Sequence, residues 1–228
     1  MSPINAAASR TVSIYNHKGG VGKTLIAATL CFLAEMNRIR TLAVAMDRQG
    51  DLVRWVTRGK TVTRDDLYEI SDYLLALYSP NSYPSRLRHP LIVVDQSPAW
   101  EDAEKVQPDL CIVPVDCIDA IINFMSAREW ISICESGIGI YFVLNNADVG
   151  GKRDLDFLKK TLAKQRAVEV WPGSIPHSGV FRRAYNRKQP VWEASYAERS
   201  TEAEDAIINL CIAVLNRLGF RLTVRPKF

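Results

Sequence analysis

A three-layer α/β fold, with a mostly parallel sheet and helices on both faces, is what three observations in this 228-residue chain predict. The first is a glycine-rich stretch, Asn16-His17-Lys18-Gly19-Gly20-Val21-Gly22-Lys23-Thr24, set between an apolar, β-branched run at 11–15 and a helical run at 25–36. The second is a series of short apolar runs at 41–46, 91–94, 108–115 and 138–144, each with the length and composition of a buried parallel strand. The third is what ends those runs: Asp47, Asp95, and the pair Asn145-Asn146. Polar side chains at the carboxyl edge of such strands sit in the ligand crevice of an open α/β sheet.

The glycine-rich stretch carries the most specific chemistry. In a strand-turn-helix setting, glycines let the backbone curl so that several N–H groups point inward, and the helix N-terminus adds its positive dipole end. Lys23 is placed to reach the β- and γ-phosphates, and the Thr24 hydroxyl to ligate Mg²⁺. The ordinary P-loop pattern has glycine where this chain has His17, and the stretch carries an additional lysine at Lys18. A glycine turn without a ligand is the plain alternative. Three glycines, two lysines and a threonine at this spacing favour a nucleotide site in a P-loop NTPase fold, with Lys18, Gly19, Gly20, Val21, Gly22, Lys23, Thr24 and Leu25 as its contacts.

Elsewhere the residues speak less clearly. Residues 1–10 read as a flexible tail and 11–228 as a single domain with a basic C-terminal portion. Leu67, Ile70, Leu74 and Leu77 fall at helical spacing, which predicts an amphipathic helix over 65–77, followed by a loop over 78–84. Further helices are expected over 120–136, 154–165 and 201–218, with a short strand at 168–171. Five scattered cysteines without paired spacing read as small buried hydrophobes in a reducing compartment. Residues 1–150 carry a net charge of −3 and residues 151–228 a net of +7, an asymmetry that suits a polyanionic partner. The first ten residues lack a signal-peptide core and no apolar run is long enough to span a membrane, so a cytoplasmic location is expected.

The stretch K-G-G-V-G-K-T at 18–24 resembles the deviant P-loop of the ParA/MinD family of positioning ATPases, and the likeness extends to about residue 193. Residues 47–50 resemble the end of the family's D-x-D-P-Q-G, with Asp47 as its second aspartate; Ala45 and Arg48 depart from the pattern. Asp95 and Pro98 match the first and last positions of its D-T-P-P switch, with Gln96 and Ser97 as departures. Residues 108–115 resemble its A-D-x-V-I-I-P-V run, and Pro176, Ala184 and Pro190-Val191 fall in register with a later I-P-x-s-x-x-x-r-e-A-x-x-x-g-x-P-V stretch.

What the resemblance implies is an ATPase using ATP and Mg²⁺. Lys18, Lys23, Asp47 and Asp95 are its expected catalytic residues, and Thr24, Asp47 and Asp95 its metal residues. Lys18 reaches the phosphates of the other subunit of an ATP-dependent homodimer. Asn145 or Asn146 contacts adenine, an asparagine turn being the equal alternative, and an Ile175-Pro176 turn closes over the base. Lys152, Arg153, Arg182, Arg183, Arg187 and Lys188 form a patch for non-specific DNA, with salt-dependent binding. The chain has no room for the helix-turn-helix domain of larger plasmid members, so it resembles the small, bacterial, nucleoid-associated and plasmid-encoded ones. They serve plasmid or chromosome partition, or conjugation-linked positioning, with slow hydrolysis stimulated by a DNA-bound adaptor of the ParB kind. The competing readings are a MinD-like ATPase bound to membrane through its C-terminal tail, and an ATP-sensing tether with little turnover. The acids gathered at the start of the last helix and its wide apolar face favour core packing over lipid binding.

Overall fold

β1 (Arg10–Ile14) is the axis of the molecule, with every residue after Arg10 buried. The computed structural model describes residues 9–80, 82–83, 89–99, 106–126, 138–147, 151–163, 168–194 and 201–226. After β1 come α1 (Lys23–Met36), β2 (Thr41–Ala45), α2 (Asp51–Val56), β3 (Leu67–Ser71), β4 (Leu74–Tyr78), β5 (Leu91–Asp95) and β6 (Leu110–Val115). The chain continues through α3 (Ile118–Ser126), β7 (Gly139–Ala147), α4 (Gly151–Leu162), β8 (Val168–Pro176), α5 (Gly179–Arg187), a 3₁₀ turn (Val191–Glu193) and α6 (Thr201–Arg217).

Among the described residues the strands form one sheet in the order β3-β4-β2-β5-β1-β6-β7-β8. All neighbours are parallel except β3 and β4. Strand alternation sorts side chains into two layers. Ala43, Val93, Ile112 and Val143 face the principal core, which they share with α1, α2 and α6. Cys111, Val113, Phe142 and Leu144 face the other side, where Phe124 of α3 and Leu155 and Leu158 of α4 cover them. Each fully buried Leu, Val or Phe contributes roughly 1.5–3 kcal/mol, so the sheet is held mainly by these two layers.

One expectation is overturned. Residues 65–77 do not form a helix; they contain a hairpin of β3 and β4. Leu67, Ile70, Leu74 and Leu77 match helical spacing, but Leu67 is 51% exposed while Tyr68 and Ile70 pack inward, a period of two. The decisive partner is distant: β4 completes the backbone hydrogen bonding of β2 on its free side, from Thr41↔Leu74 to Ala45↔Tyr78. A helix there would leave the β2 edge unpaired in the interior. Smaller corrections concern extent. The strand expected at 168–171 runs on to Pro176, so Ile175-Pro176 is a strand end and not a turn. α3 starts at Ile118 and the rest of the expected helix, from 127, lies outside the described residues. Residues 1–8 also lie outside them, whereas Arg10 is already in β1, paired with Asp109 at 2.8 Å.

α6 packs in the principal core through Ile207, Ile208, Leu210, Cys211, Val214 and Leu215. No described helix is long and apolar enough to cross a membrane. After α6 the chain lies along the molecule instead of leaving it. Asn37, which ends α1, accepts the N–H groups of Thr223 and Val224 on its Oδ1, both at 2.8 Å, and donates to the Val224 carbonyl at 3.0 Å. Cys31, Cys111 and Cys211 are buried free thiols, and burial pushes their pKa values up, that of Cys111 to about 11.

Candidate nucleotide site

The loop between β1 and α1 is shaped by Asn16, a residue to which the motif itself assigns no role. Asn16 is buried; its Nδ2 donates to the Pro114 carbonyl at 2.7 Å and its Oδ1 accepts the Lys18 N–H at 2.8 Å. It thereby ties the loop entry to β6. Gly22 has a φ of 92°, in the left-handed region, and a Cβ there would lie 2.1 Å from Asn145 Nδ2. Only glycine fits on both counts. Gly22 is also the N-cap of α1, which has no side-chain cap and no acid in its first turn. Its leading N–H groups and dipole are therefore uncompensated at the end where an anion binds best.

The charged side chains converge on this cradle. Lys23 Nζ donates to the Lys18 carbonyl at 2.9 Å, folding the ammonium over the loop, and burial lowers its pKa against the pull of Asp95 and Asp47. Thr24 Oγ1 donates to Asp95 Oδ2 at 2.7 Å. Asp95 is 1% exposed, its other oxygen is buried without a partner, and its pKa is pushed up to about 7 by burial first and by Asp47 second. Asp47 accepts the Gly50 N–H at 3.0 Å, and burial raises its pKa as well. A buried acid with an orphaned oxygen beside a threonine hydroxyl, and a second, half-buried acid near it, form a hard-oxygen set that fits a divalent cation such as Mg²⁺.

These groups line a cleft of about 780 Å³, together with Arg48 and Gln49 after β2, Gln96 to Ala99 after β5, and Asp51, Trp55, Phe181 and Tyr185. Ala45 closes β2 beside Asp95 and is fully buried, so the position where the family pattern has its first acid faces the interior here. The aromatic wall has no local signal in the sequence, because Trp55 and Tyr185 come from α2 and α5. Lys18 stands apart: its Nζ pairs with Asp116 at the end of β6, at 2.7 Å, and this contact raises its pKa. Both side chains are partly exposed, so the pair contributes under about 1 kcal/mol and leaves Lys18 available to another partner.

The remaining predicted residues are placed as follows. Asn145 is buried beneath the loop, donating to the Val21 carbonyl at 2.8 Å. It therefore supports the cradle directly. Pro176 ends β8, opposite Ala147 in β7. The side chains of Asn146 and Lys152 lie outside the described residues. Arg153 is exposed on α4. Arg182 and Arg187 are exposed on α5, but Arg183 is half-buried and its Nε donates to the Ala194 carbonyl at 3.3 Å, so the two adjacent arginines are not equivalent. Lys188 caps α5 with a φ of 53°, and its carbonyl accepts from Arg58 in the turn after α2.

The profile of the CobQ/CobB/MinD/ParA nucleotide binding domain matches residues 12–191. Among solved structures, a Cyanothece McdA variant in complex with ATP superposes with a TM-score of 0.72 at 14% identity, covering 96% of this chain and 100% of that one. The septum site-determining protein MinD of Pyrococcus horikoshii, complexed with Mg-ADP, gives 0.70 at 18% identity, over 95% and 100% of the two chains. A plasmid partition protein of Borrelia burgdorferi bound to AMPPNP gives 0.67 at 14% identity, over 90% and 99%. At these identities the structural likeness speaks for the fold. No curated protein matches the chain.

Proposed function

Because the chain belongs to the CobQ/CobB/MinD/ParA nucleotide-binding family, we propose that it is an ATPase of the ParA kind, which dimerises on ATP, binds DNA without sequence preference and releases it on hydrolysis. The observation that carries the reading is the Thr24–Asp95 contact at 2.7 Å beside the uncapped start of α1, which joins a phosphate cradle to a cation site. Thr24, Asp95 and Asp47 would hold Mg²⁺, which when bound neutralises charge on the β- and γ-phosphates. The protein's own groups do the rest. The loop N–H groups and Lys23 bind and orient the phosphates, and Asp47 is placed to orient the attacking water. Phosphoryl transfer to water requires mainly such positioning and charge stabilisation.

Lys18 leaves Asp116 to reach the phosphates held by a second copy, so ATP completes the dimer interface. The exposed arginines of α5 then bring two basic faces to one duplex. Partition or positioning of plasmid or chromosomal DNA, with an adaptor of the ParB kind stimulating slow hydrolysis in the bacterial cytoplasm, is the task these properties suit. The same reading gives Pro176 and the asparagines ending β7 the adenine, with Asn145 acting through the loop it supports.

The test is binding to a random duplex with ATP, ADP or no nucleotide at two salt concentrations, alongside phosphate release. Wild type is compared with Lys18→Ala and with Arg182→Ala combined with Arg187→Ala. Salt-sensitive binding that needs ATP and is lost in both variants supports the reading. Binding indifferent to nucleotide overturns the switch, and absent phosphate release leaves a tether with little turnover.

A further inference from the structure

α2 and α5 are 130 residues apart in sequence but meet along one edge. Arg58 donates to the Lys188 carbonyl at 3.3 Å, Trp55 Nε1 to the Gln189 carbonyl at 2.9 Å, and the Tyr185 hydroxyl to Asp51 at 2.9 Å. The Trp55 and Tyr185 rings pack edge to face at 5.4 Å, and Lys188 Nζ lies 3.4 Å from the centre of the Tyr185 ring. Arg54, Arg58 and Lys60 are exposed along the same edge as Lys188. Among the described residues two acids are engaged along this edge: Glu193, paired with Arg58 at 3.4 Å, and Asp51, engaged by Tyr185. Cations outnumber acids, and both Arg58 and Lys188 hold left-handed backbone, with φ of 60° and 53°, where glycine would be the easier residue. Both residues stand at helix C-terminal ends, where a cation suits the dipole, and both add their charge to this one edge.

We propose that α2, the turn after it and the C-terminal end of α5 form one surface for the sugar–phosphate backbone of DNA, with Arg54, Arg58 and Lys60 contacting phosphates beside Arg187 and Lys188. The inference rests on the DNA-binding reading above and deepens it by adding a segment that precedes the basic C-terminal portion. Regularly spaced phosphates are the polyanion that several exposed cations on one face match best, while Trp55, buried, and Tyr185, partly exposed, support the face from below. The surface is also wired to the nucleotide. Asp51, Trp55 and Tyr185 line the cleft, so one set of side chains is both a wall of the nucleotide site and the support of the basic face.

The test measures duplex affinity by fluorescence anisotropy across a salt series with saturating ATP, for wild type, Arg54→Ala with Lys60→Ala, and Tyr185→Phe. Each lost phosphate contact lowers the slope of log K against log salt by about 0.9, so the double variant should lose about 1.8 of slope and bind at least tenfold more weakly at low salt. Both positions are exposed, and an unchanged unfolding midpoint verifies the fold. Tyr185→Phe should shrink the ratio of affinities with ATP and ADP. A double variant with the wild-type slope overturns the inference and leaves the DNA reading standing. If wild type binds no DNA in any nucleotide state, the DNA reading itself fails and the inference falls with it. Unchanged slope accompanied by weaker ATP-dependent dimerisation, or by lost binding to phosphatidylserine vesicles, assigns the face to a second copy or to lipid and also overturns it.

Discussion

The phosphate cradle and the basic face are held together in different ways. The turn of the cradle closes locally and is then braced from a distance, by Asn16 on Pro114, Thr24 on Asp95 and Asn145 on Val21. Lys18 binds Asn16 two positions away, and Lys23 binds Lys18 five positions away. The basic face has no such economy: Asp51–Tyr185, Trp55–Gln189 and Arg58–Lys188 span 130 to 134 positions. A loop whose shape follows from neighbouring residues can be preorganised by its own sequence. A face assembled from two returns of the chain exists only when the whole sheet between them is in place, and its geometry can respond to either return. The difference leaves the turn of the cradle to its own neighbours and makes the basic face depend on the whole sheet.

Substitutions can break or sharpen that contrast. The largest effect is expected from Lys23→Ala, which removes the ammonium over the loop; phosphate release from ATP should fall by about 100-fold or more in a steady-state assay, with the fold intact. Gly22→Ala comes next, since it forces a side chain into left-handed backbone and against Asn145. Urea unfolding should register a loss of about 2–4 kcal/mol, and an unchanged midpoint would show the cradle to be softer than its contacts imply. Asp95→Asn should separate stability from function. The folded pKa of Asp95 is raised from 3.8 to about 7, so the protein without ligand loses stability as pH rises through that window. The asparagine variant should escape this loss, gaining about 1–3 kcal/mol at pH 7 in thermal or chemical unfolding, while its Mg²⁺-dependent hydrolysis disappears. The smallest effect belongs to the basic face. Lys188→Gly relieves left-handed backbone and should stabilise the fold by about 0.5–1 kcal/mol, yet weaken duplex binding severalfold; weaker folding together with unchanged binding would make Lys188 a structural cap.

What the sequence disclosed follows the same division. The strand before the loop, the helix after it, Thr24 and the acids ending β2 and β5 were all legible, because each depends on residues within a few positions of one another. The hairpin of β3 and β4 was not. Its leucines satisfy helical spacing, and only the unpaired edge of β2, some thirty positions earlier, selects strand over helix. Asp116 stood in view at a strand end, but nothing local marked it as the partner of Lys18. Trp55 and Tyr185 carried no signal at all, since their role as a cleft wall arises when α5 returns to α2. The arginine pair at 182–183 read as two equal contributors, and only the backbone of the 3₁₀ turn, through the Ala194 carbonyl, turns Arg183 inward.

The clasp of Asn37 on residues 223–224 has a use at the bench. α1 carries the phosphate loop at one end and Asn37 at the other, about 21 Å away for a helix of this length. Val224, 46% exposed, is held by that far end. A small fluorophore on a cysteine placed at 224 would sit well outside the nucleotide cleft while being fastened to the rod that runs from it. Any tilt or slide of the rod on nucleotide loading would reach the dye as a change of environment, giving a stopped-flow signal for the loading step itself.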